Sequence, residues 1–153
     1  MDPHFTLEVE AVRVADIADK SAALRFLAQV CGETYGLDAD QVEQALLERE
    51  ALGSTGFGNG VALPHARLAG IQKPLAALVR IERPIDFEAA DGLPVELACA
   101  LLSPENAGAT HLHALAALSR MMRDEQLRAR LSAATDVEAI YGIVTNGQDR
   151  DAA

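Results

Sequence analysis

The spacing of apolar positions changes several times along this chain, and each spacing predicts an element. Residues 7 to 14, Leu7-Glu8-Val9-Glu10-Ala11-Val12-Arg13-Val14, alternate apolar and polar side chains as a short strand or an extended arm does. After Asp19-Lys20-Ser21 the period lengthens. Ala23, Phe26, Leu27, Val30 and Cys31 fall on one helical face, with Gly32 or Gly36 available to end the helix. A second helix over 41–50, capped by Asp38 or Asp40, turns Val42, Leu46 and Leu47 inward and stops at Gly53. The stretch Gly53 to Gly60 holds four glycines in eight residues and no apolar period, which predicts a loop.

Val61 to Leu63 then has the composition of a short strand. Residues 74–81 and 95–102 are nearly continuous apolar runs of strand length, the pattern of strands covered on both faces, and the turn-rich segment 85–94 joins them. Beyond Ser103-Pro104, Thr110 is placed to cap a long helix through Met122. A further helix spans Asp124 to Leu131, and a last one runs from about Asp136 to Val144 behind a Thr135 cap, leaving a short flexible C-terminal tail after Asn146. Helices interspersed with short apolar strands predict an α/β fold: a single-domain sandwich, with a central mixed sheet of about five strands flanked by helices on both faces.

Length and composition narrow this picture. A chain of 153 residues fills one domain, 1–153, with a core of about 7–145. Half the residues are hydrophobic but only 4% are aromatic, with no Trp, so the core is aliphatic. Thirteen Lys plus Arg against 23 Asp plus Glu give a net charge of −10, which opposes nucleic acid and anionic lipid and suits a basic protein partner. The N-terminus lacks a basic region followed by an apolar one, and no apolar run reaches the ~18 residues of a membrane span. A cytoplasmic protein without membrane insertion is expected. Cys31 and Cys99 have no CxxC spacing and no nearby His, so they read as buried thiols of a reducing compartment, with no metal site.

The chemistry concentrates in Gly58-Asn59-Gly60-Val61-Ala62-Leu63-Pro64-His65-Ala66-Arg67. A glycine turn leads into a short strand, and Pro64 stiffens the backbone just before His65. An imidazole is largely neutral and nucleophilic at pH 7, and Arg67, two residues on and therefore on the same face of a strand, suits an incoming anion. This pairing fits phosphoryl transfer; a satisfied loop histidine is the plainer alternative. His111 and His113 both open a helix, and at 100° per residue His111 shares the stripe of Leu115, Leu118 and Met122, whereas His113 aligns with Ala117 and Arg120. His111 thus points to the core side, either as a group beside a phosphorylated His65 or as a residue bonded to a loop. Arg49 either complements the negative end of its helix or serves the glycine stretch it enters.

From Glu50 through Ala66 the chain resembles the phosphorylation signature of the mannitol/fructose class of enzyme IIA in the bacterial phosphoenolpyruvate-dependent phosphotransferase system. The matching positions are Glu50, Phe57, Gly58 and Val61-Ala62-Leu63-Pro64-His65-Ala66. The resemblance continues through Arg49-Glu50-Ala51-Leu52, Ile85-Asp86-Phe87, Asp91-Gly92-Leu93-Pro94-Val95 and His111-Leu112, roughly residues 7 to 145. Within that class the chain is most similar to the nitrogen-regulatory type.

The resemblance implies a mannitol-specific enzyme IIA-like fold and a phosphotransferase component that uses no cofactor. It implies that His65 accepts a phosphoryl group, as tele-phosphohistidine, from a histidine phosphocarrier protein, with His111 and Arg49 supporting it and Arg67 as a further candidate. Backbone amides of Gly56, Gly58, Asn59 and Gly60 are expected to form a phosphate-binding loop. Three roles follow: regulation of targets such as a kinase or a potassium transporter according to phosphorylation state, transfer onward to a separate sugar-specific IIB cysteine, or binding alone.

Overall fold

The computed structural model describes residues 4–152, of which 147–152 are described by their backbone. In chain order, a short 3-10 turn at Val9–Ala11 leads into β1 (Val12–Ala15), α1 (Lys20–Tyr35), α2 (Ala39–Ala51), β2 (Gly56–Gly58), β3 (Val61–Ala62), β4 (His65–Leu68), β5 (Leu75–Ile85), β6 (Val95–Pro104), α3 (Ala109–Arg123), α4 (Glu125–Ala133) and α5 (Val137–Ala152). The six strands form one mixed sheet in the order β1-β5-β6-β3-β2, with β4 also on β6.

The two apolar runs are its centre. β5 and β6 pair antiparallel, placing Leu78 opposite Cys99 and Val79 opposite Ala98, and β1 adds in parallel to β5. Leu75–Val79 and Leu97–Ser103 are buried at every position. Successive side chains of a strand point to opposite faces, so this burial requires cover on both sides. α1 and α2 pack together, with α1 against β5; α3, α4 and α5 form a second group, with α3 against β6. Cys31 and Cys99 lie inside, and burial pushes both thiols up to about 12, which keeps them protonated. Among the described residues no helix is long and apolar enough to cross a membrane.

The structure decides between the alternatives at the first two helices and moves the starts of the later ones, each for a local reason. Asp19 caps α1 by accepting from the Ala22 amide, and the helix passes through Gly32 to end at Gly36, whose φ of 71° suits the left-handed cap. Asp38, not Asp40, caps α2. α3 starts behind Gly108, which leaves Thr110 inside the first turn rather than at the cap. The Asp136 carboxylate, not Thr135, receives the Ala139 amide at the start of α5, whose backbone continues past Asn146 to Ala152.

The main correction concerns the glycine stretch. Gly56–Gly58 is a strand, antiparallel to β3 with Gly56 opposite Ala62, and it raises the strand count from about five to six. No side-chain period marks it because backbone pairing makes it. Gly56 is required there for space: a Cβ would lie 2.6 Å from the Ala89 Cα. Asn59 at φ 57° and Gly60 at φ 81° make the turn into β3.

Candidate functional site

β3 and β4 are in effect one strand along β6, with β2 on the far side of β3. Val61 faces Leu97, Ala62 faces Ala98, His65 faces Leu101 and Arg67 faces Ser103, a constant offset of 36 positions. Leu63 and Pro64 lie between the two segments without shifting the register. Pro64 has no amide to donate, but its carbonyl accepts from the Leu101 amide at 2.9 Å, and the Leu63 amide donates to the Thr55 carbonyl at 3.0 Å. The two residues that precede His65 are therefore buried and tied to strands on either side.

The half-buried His65 ring folds back so that Nδ1 lies 2.8 Å from the Leu63 carbonyl oxygen. A carbonyl only accepts, so Nδ1 carries the proton of the neutral ring and Nε2 keeps its lone pair. Burial holds the His65 pKa below its ordinary value; the Leu63 carbonyl opposes this, Arg49 lowers it further and Glu50 acts the other way. The net direction favours a neutral imidazole near pH 7.

His111, in the first turn of α3, brings its ring centroid to 5.9 Å from that of His65, the planes tilted by 41°. It is buried, and its Nδ1 lies 2.6 Å from Oγ of Ser103, which is itself fully buried in β6. Burial lowers its pKa, and the charges of Arg67 and His65 add to that. The predicted orientation holds: Leu118 and Met122 on its stripe are buried, whereas His113 is exposed.

Arg49 lies in the last turn of α2, where Nη1 donates to the Gly53 carbonyl at 2.9 Å. One donor thus fixes the guanidinium, and four remain. Arg67 lies exposed on β4, two residues from His65. His65, His111, Arg49 and Arg67 all line one open cavity of ≈ 420 Å³, together with Ala45, Glu48, Leu52 and Ala66. His65 also lines an adjoining cavity of ≈ 240 Å³ with Thr55, Gly56, Phe57, Leu63 and Leu115. Two imidazoles and two guanidiniums lining one cavity suit an anion with several oxygens.

The expected glycine cradle is only partly brought to this place. Gly56 lines the smaller cavity, but its amide already donates to Ser54 Oγ at 2.9 Å. Gly58, Asn59 and Gly60 form the far turn of the β2–β3 hairpin, outside both cavities. The Asn59 amide donates to Asp91 at 2.8 Å, and the Gly60 carbonyl accepts from Glu96 and Leu97. That turn anchors the hairpin to the start of β6. Ser103, the partner of His111, was missed by sequence reasoning, although a hydroxyl at the end of a continuous apolar run was a usable signal. Glu50 belongs to the motif, but nothing in its spacing marks a role for it.

Comparison with known proteins identifies the family and the fold. Residues 6–147 match the family described as "Phosphoenolpyruvate-dependent sugar phosphotransferase system, EIIA 2". A protein of Bradyrhizobium diazoefficiens named "Nitrogen regulatory protein" is 44% identical over 128 residues, 84% of each chain. Among solved structures, "Nitrogen Regulatory Protein IIA-Ntr" from Neisseria meningitidis is similar with a TM-score of 0.84 at 32% identity, over 90% of this chain and 95% of that one. IIA mannitol from Escherichia coli, 23% identical, shares the fold with a TM-score of 0.76 over 92% of this chain and 99% of its own.

Proposed function

The chain belongs to the phosphoenolpyruvate-dependent sugar phosphotransferase system EIIA 2 family, and on that premise we propose that it is a phosphorelay protein whose His65 takes a phosphoryl group from a histidine phosphocarrier protein. Its two phosphorylation states then engage regulated partner proteins differently. The observation that carries this reading is the Nδ1–H bond from His65 to the Leu63 carbonyl, which leaves Nε2 as the free nucleophile.

In the step, the P–N bond to the carrier's histidine breaks as His65 Nε2 bonds to phosphorus. No proton has to leave the ring at that moment, because Nδ1 keeps its hydrogen, and the Leu63 carbonyl accepts the stronger bond that the more positive phosphorylated ring donates. Transfer of this kind needs positioning and charge more than covalent help. Arg49 and Arg67 are the groups to balance the phosphoryl oxygens, and His111, fixed by Ser103, forms the wall on the α3 side. The exposed Leu52 on the cavity rim and the exposed Leu112, next in the chain to His111, offer apolar contact to a docking partner. The nitrogen-regulatory names of the relatives favour regulation over sugar transport as the outcome.

The test is acid-labile labelling from phosphoenolpyruvate through enzyme I and the phosphocarrier. Wild type should take up label and His65→Ala should take up none while melting at nearly the same temperature. Labelling of the His65→Ala protein would refute the assignment, and rapid drainage of label to a sugar-specific IIB protein would replace regulation by transport.

A further inference from the structure

Glu50 ends in a place where carboxylates are rare. It is buried beneath the last turn of α2, and its carboxylate takes the Thr55 amide at 2.8 Å, the Thr55 hydroxyl at 2.5 Å and Lys20 Nζ at 2.9 Å. Thr55, also buried, presents its carbonyl to the Leu63 amide at 3.0 Å, and the Leu63 carbonyl receives His65 Nδ1 at 2.8 Å. A continuous hydrogen-bonded path therefore runs from Lys20 at the start of α1, through Glu50 and the first residues of the hairpin, to the ring nitrogen that decides which side of His65 reacts.

A buried ion pair is a weak way to stabilise a fold, since a well-packed apolar pair commonly does as well. What a carboxylate adds here is direction. It binds both donors of a single residue in a glycine-rich stretch that has few side chains to hold it in place. On the other side Lys20 also faces Glu88, at 3.7 Å, and sits over the Phe87 ring, so its ammonium is fixed relative to Glu50.

Resting on phosphoryl acceptance by His65, we propose that Glu50 is a positioning residue for that step: with Lys20 it fixes the Thr55–Leu63 bridge whose carbonyl sets the tautomer and orientation of the imidazole. It touches neither phosphorus nor the ring. Its effect falls on the rate of transfer once the carrier is bound, because misplacing a reacting group by about 1 Å costs roughly a hundredfold.

The experiment combines imidazole nitrogen NMR of the unphosphorylated protein with transfer kinetics. In wild type the His65 ring should be the Nδ1–H tautomer. The apolar pair Lys20→Met/Glu50→Leu keeps the volume and removes the acceptor; it should give a mixture of tautomers and lower the saturated transfer rate by roughly ten- to a hundredfold, with the KM for the carrier unchanged. Glu50→Gln retains an acceptor oxygen for the Thr55 amide and should recover most of the wild-type rate. An unchanged tautomer and rate in the apolar pair would overturn the proposal. Should that pair not fold, Thr55→Val removes one of the two bonds and must shift the tautomer part of the way; no shift overturns the proposal equally. If wild type accepts no phosphate, the phosphorelay reading fails on its own, while the tautomer measurement still decides whether Glu50 positions His65.

Discussion

The centre of the sheet and its β3–β4 strand are built by different physics, although they share β6. The β5–β6 pair is closed on both faces by aliphatic side chains, with Leu78, Val79, Ala98 and Leu101 fully buried. Its free energy comes from area removed from water, and it needs no particular atom at any one place. The β3–β4 strand contributes small residues, Ala62 and Ala66, together with a proline, and is held by directed hydrogen bonds to Leu101 on one side and Thr55 on the other. Redundant burial makes the platform, and specific bonds aim the histidine. Each region should therefore fail in its own way.

The largest effect on stability belongs to the centre. Leu78→Ala removes a fully buried side chain opposite Cys99 and should lower the unfolding free energy by about 2 to 5 kcal/mol, read from the urea midpoint. The protein that remains folded should still take label on His65. Loss of labelling in folded Leu78→Ala protein would break the separation between platform and site.

The same division governs how much was legible in the sequence. Runs 74–81 and 95–102 announced the centre because continuous burial leaves a continuous apolar pattern, and Ala23, Leu27, Val30 and Cys31 marked α1 by their period. His65, Arg67, Arg49 and His111 were legible as a constellation through the motif they share with a family, and the structure lines one cavity with all four. What stayed hidden depends on backbone geometry. β2 exists because glycines pair with β3, and Gly56 is fixed by the approach of Ala89, neither of which leaves an apolar period. The hairpin turn faces Asp91 and not His65, a three-dimensional outcome of a 32-residue separation in sequence. The caps at Gly108 and Asp136 were missed because Thr110 and Thr135, each an acceptable cap, stood nearby.

Ser103 sharpens the comparison because it belongs to both regions, as a buried position of β6 whose hydroxyl meets His111. Ser103→Ala keeps the strand and leaves a buried ring nitrogen without its partner. The expected cost is roughly 1 to 3 kcal/mol in unfolding free energy. Phosphoryl transfer to His65 should slow as His111 loses its fixed orientation, whereas Cys99→Ala, deeper in the same strand, should alter stability without slowing transfer in the folded protein. Equal rates in Ser103→Ala and wild type would show that His111 needs no fixing.

The smallest effect is the most selective, because only one of the two regions titrates near neutral pH. Burial depresses the pKa values of both His65 and His111 in the folded state, while in the unfolded chain they return to about 6.5. Between the depressed values and about 6.5 the unfolded chain binds more protons than the folded one, so stability must rise with pH there. Their contribution is fully present above the unfolded value and is lost as pH falls through that window. Urea midpoints taken from pH 8 down to pH 5 should therefore be flat at the alkaline end and decline at the acid end, and the decline should disappear in His65→Asn/His111→Asn. Asp16 and Asp91, held below the usual carboxylate range by Arg83 and by the Asn59 amide respectively, add their own losses only at still lower pH. The buried thiol of Cys99, at about 12, leaves the centre silent across the whole range. The kinetic counterpart has the same sign: with neutral imidazole as the nucleophile, the rate of acceptance should persist on acidification below the ordinary imidazole value before it falls. A slope that survived in the double variant would place the titrating group outside the cavity.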